Sequence, residues 1–435
     1  MARRRGGAFP ARRCDSDGMT GLFASTAWRN VFRNRWRSLI VVAAVAIGVA
    51  GSLFVILFSA GMMGQMVTAV VRGAGHLQIE HPGFADNPGV YRCIDAAADV
   101  ITAVEADPDT RRWAPRVISG GLARSATASA GVRIQGVEAG REAEMTGVRE
   151  RIVEGHWLTG ESSSRRREIV IGTKLAAKLR AGLGYKVVLT AQARAGEREQ
   201  EGTEMTSGVY RVVGIFRMPS EAMNKAIVFL NVEDAQVLLG MGEDLSQVAV
   251  MLATDESGQA QTRLAGALAR EGYVVRTWQD GNRTLVQMVD LFEATILIYV
   301  VIIFLGAAFG IINTMLMAVF ERTRELGILR AVGTGRWMLF RLVIYEALFI
   351  SILGTIAGIC LMAALHAVWL RHGLDLSMFA ESLSLFGSDA IIVPTWQPDL
   401  CAQAVAVVLV MGMLSALWPA VRASRVQPAE AMRRG

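Results

Sequence analysis

Four long apolar segments divide this chain one plus three. The first is the uncharged run from Ser38 to Val71. More than two hundred residues of mixed composition follow before Ala294–Phe320, Ala347–Leu370 and Leu400–Val421. Each segment exceeds the ~20 apolar residues needed to cross a ~30 Å hydrocarbon layer. The pattern is that of an integral membrane protein with one large domain on one side, which excludes most soluble enzymes and most ordinary channels.

Charge orients it. The formal net charge is +6, unevenly spread. The segment before the first span, the loop between spans two and three, and the tail together hold eighteen Arg against Asp15, Asp17, Glu321, Glu325 and Glu430, a local net of +13. The block from Ala74 to Asp290 has 25 basic and 28 acidic residues. The 371–399 loop sets Arg371 against Asp375, Glu381, Asp389 and Asp399. Positive-inside bias places both termini and the 321–341 loop in the cytoplasm, and the large domain and the 371–399 loop outside. The basic balance thus belongs to the membrane-side loops and implies no nucleic-acid partner. The four Cys (Cys14, Cys93, Cys360, Cys401) leave only Cys93 in the large domain, so no disulfide staples it.

These signals partition the chain. Residues 1–37 read as a cytoplasmic tail and an interfacial helix; the first eighteen are Arg- and Gly-rich, and Met19 offers a second start. Trp28, Phe32 and Trp36 recur every fourth residue beside Arg29, Arg33 and Arg37, the pattern of a helix at headgroup depth. Residues 38–73 form the first span and a stalk, since thirty-four uncharged residues make a helix of ~50 Å. Residues 282–320 are a second stalk and span, with Leu285, Met288, Val289 and Phe292 at helical spacing. Then come the 321–341 loop, a third span at 342–370, the 371–399 loop, a fourth span at 400–421 and a cytoplasmic tail at 422–435.

Within the spans, Gly306-Ala-Ala-Phe-Gly310 and Gly354-Thr-Ile-Ala-Gly358 permit close helix approach, most simply inside one four-helix unit. Glu346, about one turn into span three, should pair with an Arg of the 321–341 loop or lie at the interface. His366 reads as an interface residue.

The domain at 74–281 reads as mixed α/β. Expected strands are Leu77–Glu80, Val132–Gln135, Glu168–Ile171, Lys186–Ala191, Tyr210–Phe216, Ala226–Phe229 and Gln247–Leu252, with helices at Thr173–Arg180, Val232–Leu239 and Glu256–Glu271. Lys186–Phe216 resembles a hairpin with an exposed charged tip from Arg194 to Ser207. Catalytic constellations are absent. There is no phosphate-binding G-x-x-x-x-G-K-[ST] loop and no Ser/His/Asp or Cys/His set. His76 and His81 have ligand-like spacing but no third partner, so no metal site is expected.

The sharpest motif is Glu321-Arg-Thr-Arg-Glu-Leu-Gly-Ile-Leu-Arg-Ala-Val-Gly333. It reads as a short amphipathic helix beside the membrane, suited to docking in a partner's groove. It resembles the coupling helix of FtsX/MacB-type permeases of ABC transporters. Trp418–Arg433 resembles that family's C-terminal signature, and Ile152–Leu158, Ile171–Ala176 and Val212–Phe216 resemble its MacB-like periplasmic core domain. Gly75–Gly83 and the 435-residue length are most similar to the lipoprotein-releasing LolC/LolE type.

The resemblance implies a four-span permease without catalytic activity in the bacterial inner membrane. It implies a separate LolD-like ATPase that binds ATP and Mg, a second permease copy or paralogue, a lipoprotein or lipid substrate and a periplasmic lipoprotein chaperone. Glu321, Arg322, Arg324, Glu325, Gly327, Arg330 and Gly333 would couple to the ATPase. Leu53, Val55, Met62, Met63, Met66, Leu291 and Ile296 would line an acyl-chain cavity or simply pack the stalks; Met suits varied acyl chains because it repacks readily. Export of peptides or amphiphiles, and mechanical activation of an external hydrolase, are the alternatives within the family.

Overall fold

The computed structural model describes residues 35–427 except 96, 161–166, 196–201, 255–256, 369 and 386–388. The expected interfacial helix lies almost wholly outside the described residues, as does the end of the C-terminal signature.

The described chain forms, in order, α1 (Arg35–Ala74), β1 (Leu77–Glu80), α2 (Ala97–Ala106), β2 (Thr110–Arg124), β3 (Ser129–Val137), α3 (Ala139–Thr146), β4 (Ile152–Gly155) and β5 (Glu168–Gly172). There follow α4 (Thr173–Leu179), β6 (Lys186–Arg194), β7 (Thr203–Phe216), α5 (Glu221–Ala226), β8 (Ile227–Asn231), α6 (Val232–Leu239), β9 (Gln247–Leu252), α7 (Ser257–Ala267) and β10 (Val274–Thr277). The short α8 (Trp278–Gly281), then α9 (Arg283–Glu321), α10 (Thr323–Ala331) and α11 (Arg336–Val368) lead to β11 (Leu374–Asp375), α12 (Ala380–Leu385), β12 (Ile391–Ile392) and α13 (Pro398–Ser424).

Two compact units result. One holds residues up to Ala60, Leu291–Gly373 and Val393 onward; the other holds Gly61–Asp290 and Leu374–Ile392. Both divisions at the large domain's ends fall inside uninterrupted helices, α1 and α9.

In the first unit, α1, α9, α11 and α13 are each long and apolar enough to span a membrane. Glycine sets how closely they pack. A Cβ on Gly354 would sit 2.6 Å from the Val45 side chain, and one on Gly358 would sit 2.6 Å from Val49 Cβ and 2.7 Å from the Ala46 carbonyl. The second glycine pair of span three is therefore the seat of α1. Gly412 of α13 meets the Ser351 hydroxyl of α11 in the same way. Gly306 and Gly310 behave differently: both are exposed and a Cβ at either meets nothing within 4 Å. The two sequence patterns are alike, and only one is spent inside this chain.

The second unit is built on a mixed sheet in the order β10-β1-β9-β2-β3-β8-β5-β7-β4. Strand β6 pairs with both β2 and β7, so β2, β3, β8, β5, β7 and β6 close a ring. Pairs β3/β8 and β5/β7 are parallel, and the other pairings are antiparallel. In β6 the odd-numbered side chains Val187, Leu189, Ala191 and Ala193 are buried while their neighbours are more open, the period-2 pattern of a one-sided strand. The core collects Val117, Ile134, Ile169, Ile171, Tyr210, Val228 and Leu230 from this ring. Burial pushes the Tyr210 phenol up to about 12.

Strand β2, with fifteen residues, is the longest and was not expected. Pro115, Gly120 and Gly121 break its strand signature, and residues 113–119 are all buried, so alternation is lost. Helices α2, α3 and α5 and strands β4 and β10 were also not expected. Helix α3 is held by a buried bidentate pair: Arg116 donates Nε and Nη2 to the Glu142 carboxylate at 3.0 and 2.9 Å. The loop between spans three and four belongs to this unit as well. Arg151 pairs with Asp389 at 3.6 Å, and Gln65 donates to the Ile391 carbonyl at 2.8 Å.

The hairpin tip is narrower than the sequence suggested. Strand pairing runs out to Arg194↔Thr203, so only residues between these two belong to the turn. Arg194 is not an exposed tip residue. It pairs with Asp244 at 3.0 Å, donates to the Val90 carbonyl at 2.8 Å and contacts Cys93 Sγ at 3.0 Å. The cluster ties the turn end of β6 to the segments carrying Val90, Cys93 and Asp244. Burial, with the Asp244 carboxylate beside it, pushes the Cys93 thiol up to about 11.

Two outcomes follow. Gly358→Leu should overpack the α1/α11 contact and lower stability of the detergent-solubilised chain by about 1–3 kcal/mol, whereas Gly310→Leu should change it by less than about 0.5 kcal/mol; thermal unfolding of both variants measures the contrast. With Cys14, Cys360 and Cys401 replaced by Ser, Cys93 should resist maleimide at pH 8, where only about a thousandth of the thiol is ionised. Labelling should rise as pH approaches 11, and labelling at pH 8 at the rate of the denatured chain would contradict the buried cluster.

Candidate functional site

The conspicuous site of the membrane unit is the turn from α9 to α11. Helix α9 ends at Glu321 because Arg322 leaves helical geometry, with φ −96° and ψ 12°. Thr323 turns its hydroxyl back to the carbonyls of Val319 and Phe320 at 3.1 and 2.8 Å, occupying acceptors at the helix end. The short α10 then runs to Ala331. Its end is set by Gly333, whose φ of +102° suits a residue without Cβ. Gly333 N–H bonds the Arg330 carbonyl at 3.1 Å and Thr334 N–H bonds the Leu329 carbonyl at 3.0 Å, the paired bonds of a Schellman cap.

One face of α10 is turned inward and the other is open. Leu326 and Gly327 are buried. Arg322 reaches Glu346 of α11 at 3.3 Å, with both side chains about seven-eighths covered. The pairing anticipated for Glu346 is thus made by Arg322. Arg324, Glu325, Ile328, Leu329 and Val332 are exposed, Val332 to 83%. Arg330 is half-buried and its Nε finds no hydrogen-bond partner. A cavity of about 400 Å³ lies between α9, α10 and α11, walled by Met315, Val319, Leu326, Leu329 and Leu342 with the Arg322–Glu346 pair on its surface. The arrangement presents a mixed apolar and charged ridge on a helix braced by an ion pair. Of the seven residues expected here, Glu321 closes α9, Arg322 braces, Gly327 packs and Gly333 caps, while Arg324 and Glu325 are exposed.

The proposed cavity residues are more scattered. On α1, Val55, Met62 and Met66 fall within about 40° of one another around the helix, Met63 lies to one side and Leu53 faces about the opposite way. Leu53, Met63 and Met66 are buried, and Val55 and Met62 half-buried. On α9, Ile296 is buried and Leu291 is 68% exposed. The histidines with ligand-like spacing have other partners: His76 Nδ1 accepts from Leu252 N–H at 3.1 Å, and His81 Nδ1 lies 2.7 Å from the Pro82 carbonyl. Among the described residues no group of three or more His, Cys, Asp or Glu is placed to hold a metal ion. His366 hydrogen-bonds the Pro394 carbonyl at 3.0 Å and meets Trp396 edge-on.

Residues 38–267 match the MacB-like periplasmic core domain and residues 297–428 match the FtsX-like permease C-terminal region. The chain belongs to the FtsX-like ABC transporter permeases with a MacB-like periplasmic core domain. Similar members of this permease family include the lipoprotein-releasing system transmembrane protein LolC of Neisseria meningitidis, 24% identical over 95% of this chain and 100% of that protein. LolE of Haemophilus influenzae is 22% identical over 76% of this chain and 79% of its own length. The pyoverdine export ATP-binding/permease protein PvdT of Pseudomonas fluorescens is 26% identical over 93% of this chain and 58% of its own length. The FtsX-like match spans the α9–α11 turn, so the braced helix lies within the permease region.

The brace can be measured. Arg322→Ala should leave the Glu346 carboxylate poorly compensated and cost about 3 kcal/mol, less if water reaches it. The double variant Arg322→Ala/Glu346→Ala should cost less than the two single changes combined, with a coupling of about 1–3 kcal/mol in a thermal-unfolding cycle.

Proposed function

We propose that the chain is the membrane subunit of an ABC transporter that extracts lipoproteins from the outer leaflet of the bacterial inner membrane. A separate ATPase subunit binds ATP and Mg and supplies the hydrolysis. The observation that carries this reading is the end-to-end likeness to a lipoprotein-releasing LolC, which extends over the whole of that protein. The braced ridge of α10 supports the ATPase contact: Arg324, Glu325, Ile328 and Leu329 are exposed on it.

On this reading the +13 surfaces face the cytoplasm and the α/β unit lies on the outer side. Closure of the ATPase pair moves α10, and the Arg322–Glu346 brace passes that movement to α11 while the chain continuity of α9 passes it outward. A second permease copy or paralogue completes the complex, the cavity residues of α1 and α9 meet the acyl chains, and a periplasmic chaperone receives the cargo. Likeness to PvdT over 93% of this chain keeps a second reading, export of a peptide or amphiphile. Mechanical activation of an external hydrolase is the third.

Reconstitution of the chain with its ATPase and an acylated lipoprotein tests the first reading. Release should require ATP, and Glu325→Lys or Arg330→Glu should reduce both ATPase association and release by about tenfold or more. Vigorous ATP hydrolysis without lipoprotein release sinks the lipoprotein reading; intact association and release in both variants sinks the role of α10.

A further inference from the structure

A second site lies in the α/β unit, away from the coupling turn. Strands β3 and β8 run parallel, and their last residues, Val137 and Asn231, are register partners. Each strand is followed at once by a helix, α3 after Glu138 and α6 after Asn231. A cleft of about 670 Å³ opens there.

Three features of its wall point to a ligand. First, the N-termini of two eight-residue helices open onto the cleft through Ala139, Gly140, Val232 and Glu233, and neither cap residue's side chain caps its helix. Their first-turn N–H groups, with the helix dipoles behind them, favour an anionic acceptor. Second, Asn231 lines the cleft, is only 4% exposed, and neither its Oδ1 nor its Nδ2 has a hydrogen-bond partner. An Asn in a cap position normally bonds its own helix; leaving both amide atoms unmet in a buried place is costly unless something else supplies the partner. Third, the remaining wall sets one cation, Arg149, beside an apolar side. Arg149 and His156 border the cleft, and the buried Trp157 and Leu158 form an apolar side. Trp157 is fixed by donating Nε1–H to the Ala139 carbonyl at 2.8 Å. His156 Nδ1 donates to the Trp157 carbonyl at 2.8 Å, which fixes the ring at the cleft's edge.

Two acids limit the charge. Glu138 and Glu233 stand exposed on the rim, and Glu138 is engaged by Arg141 Nε at 3.1 Å. They oppose a phosphate dianion and tolerate a single negative charge. We propose that this cleft binds the carboxylate of a small apolar acid or peptide C-terminus, with the group held between the two helix N-termini, Asn231 and Arg149. The inference is independent of the transport reading above.

The test uses the full chain in lipid nanodiscs, with empty nanodiscs as the blank, and saturation-transfer NMR. The probes are N-acetyl-leucine, N-acetyl-glycyl-glycyl-leucine and the C-terminal amide of each. Both acids should bind, their amides about tenfold more weakly, and Arg149→Ala and Asn231→Leu should each weaken the acids by about tenfold. A tighter tripeptide assigns the site to peptide ends, and equal acids assign it to small carboxylates. Acids and amides binding alike, or acids binding unchanged in Arg149→Ala, overturns the proposal. Should Asn231→Leu lower the melting temperature, Asn231→Asp decides instead: the added charge should abolish acid binding, and retained binding overturns the site.

Discussion

Hydrocarbon offers a backbone amide no partner outside its own helix, and that constraint organises this chain. It keeps α1, α9, α11 and α13 continuous, even past Pro419 of α13. Helices α1 and α9, at 40 and 39 residues, are about 60 Å long where about 30 Å of apolar layer must be crossed. The boundary between the two compact units therefore falls inside helices, at 60/61 and 290/291, and no loop separates the membrane unit from the α/β unit there.

Within the membrane unit, the absence of a hydrophobic drive between helices leaves close packing to do the work. Gly354, Gly358 and Gly412 do it by contact with Val45, Val49 and Ser351. The one ionisable residue deep in α11, Glu346, is met by Arg322 at the point where α9 stops. The same ion pair satisfies a carboxylate among apolar helices and fixes the angle from which α10 departs. Helix α10 is thus joined to α9 by the single non-helical residue Arg322, and that same residue is tied to α11 by charge.

Long periodic elements of the α/β unit were legible because their signal is local. Strands Leu77–Glu80 and Gln247–Leu252 and helix Val232–Leu239 occur with the expected bounds. Strand β2 was hidden because it is buried on both faces and carries Pro115 and two adjacent glycines, which speak for a turn in isolation. The charged tip looked longer than it is for the opposite reason. Arg194 reads as a surface residue by type, yet Asp244 and the Val90 carbonyl satisfy it in a partly buried place. The short helix between spans two and three was legible as an amphipathic motif, whereas the apolar residues expected to line a cavity or pack the stalks include Leu53, which faces away from Val55, Met62 and Met66 on α1.

The sequence by itself determined how many times the chain can cross a membrane, how charge is partitioned among its loops, and where a short amphipathic helix interrupts the spans. Those are properties of consecutive residues, set by run length, periodicity and net charge. Tertiary structure alone decided that one glycine pair is packed and the other bare, that β6 closes a ring between β2 and β7, and that Val137 and Asn231 end side by side. The β2/β6 and β3/β8 pairings join residues 64 to 94 positions apart, and the glycine contacts depend on which neighbour a small residue meets. No local pattern encodes that meeting, because the energy that selects it comes from packing and hydrogen bonds formed only once the chain has closed on itself.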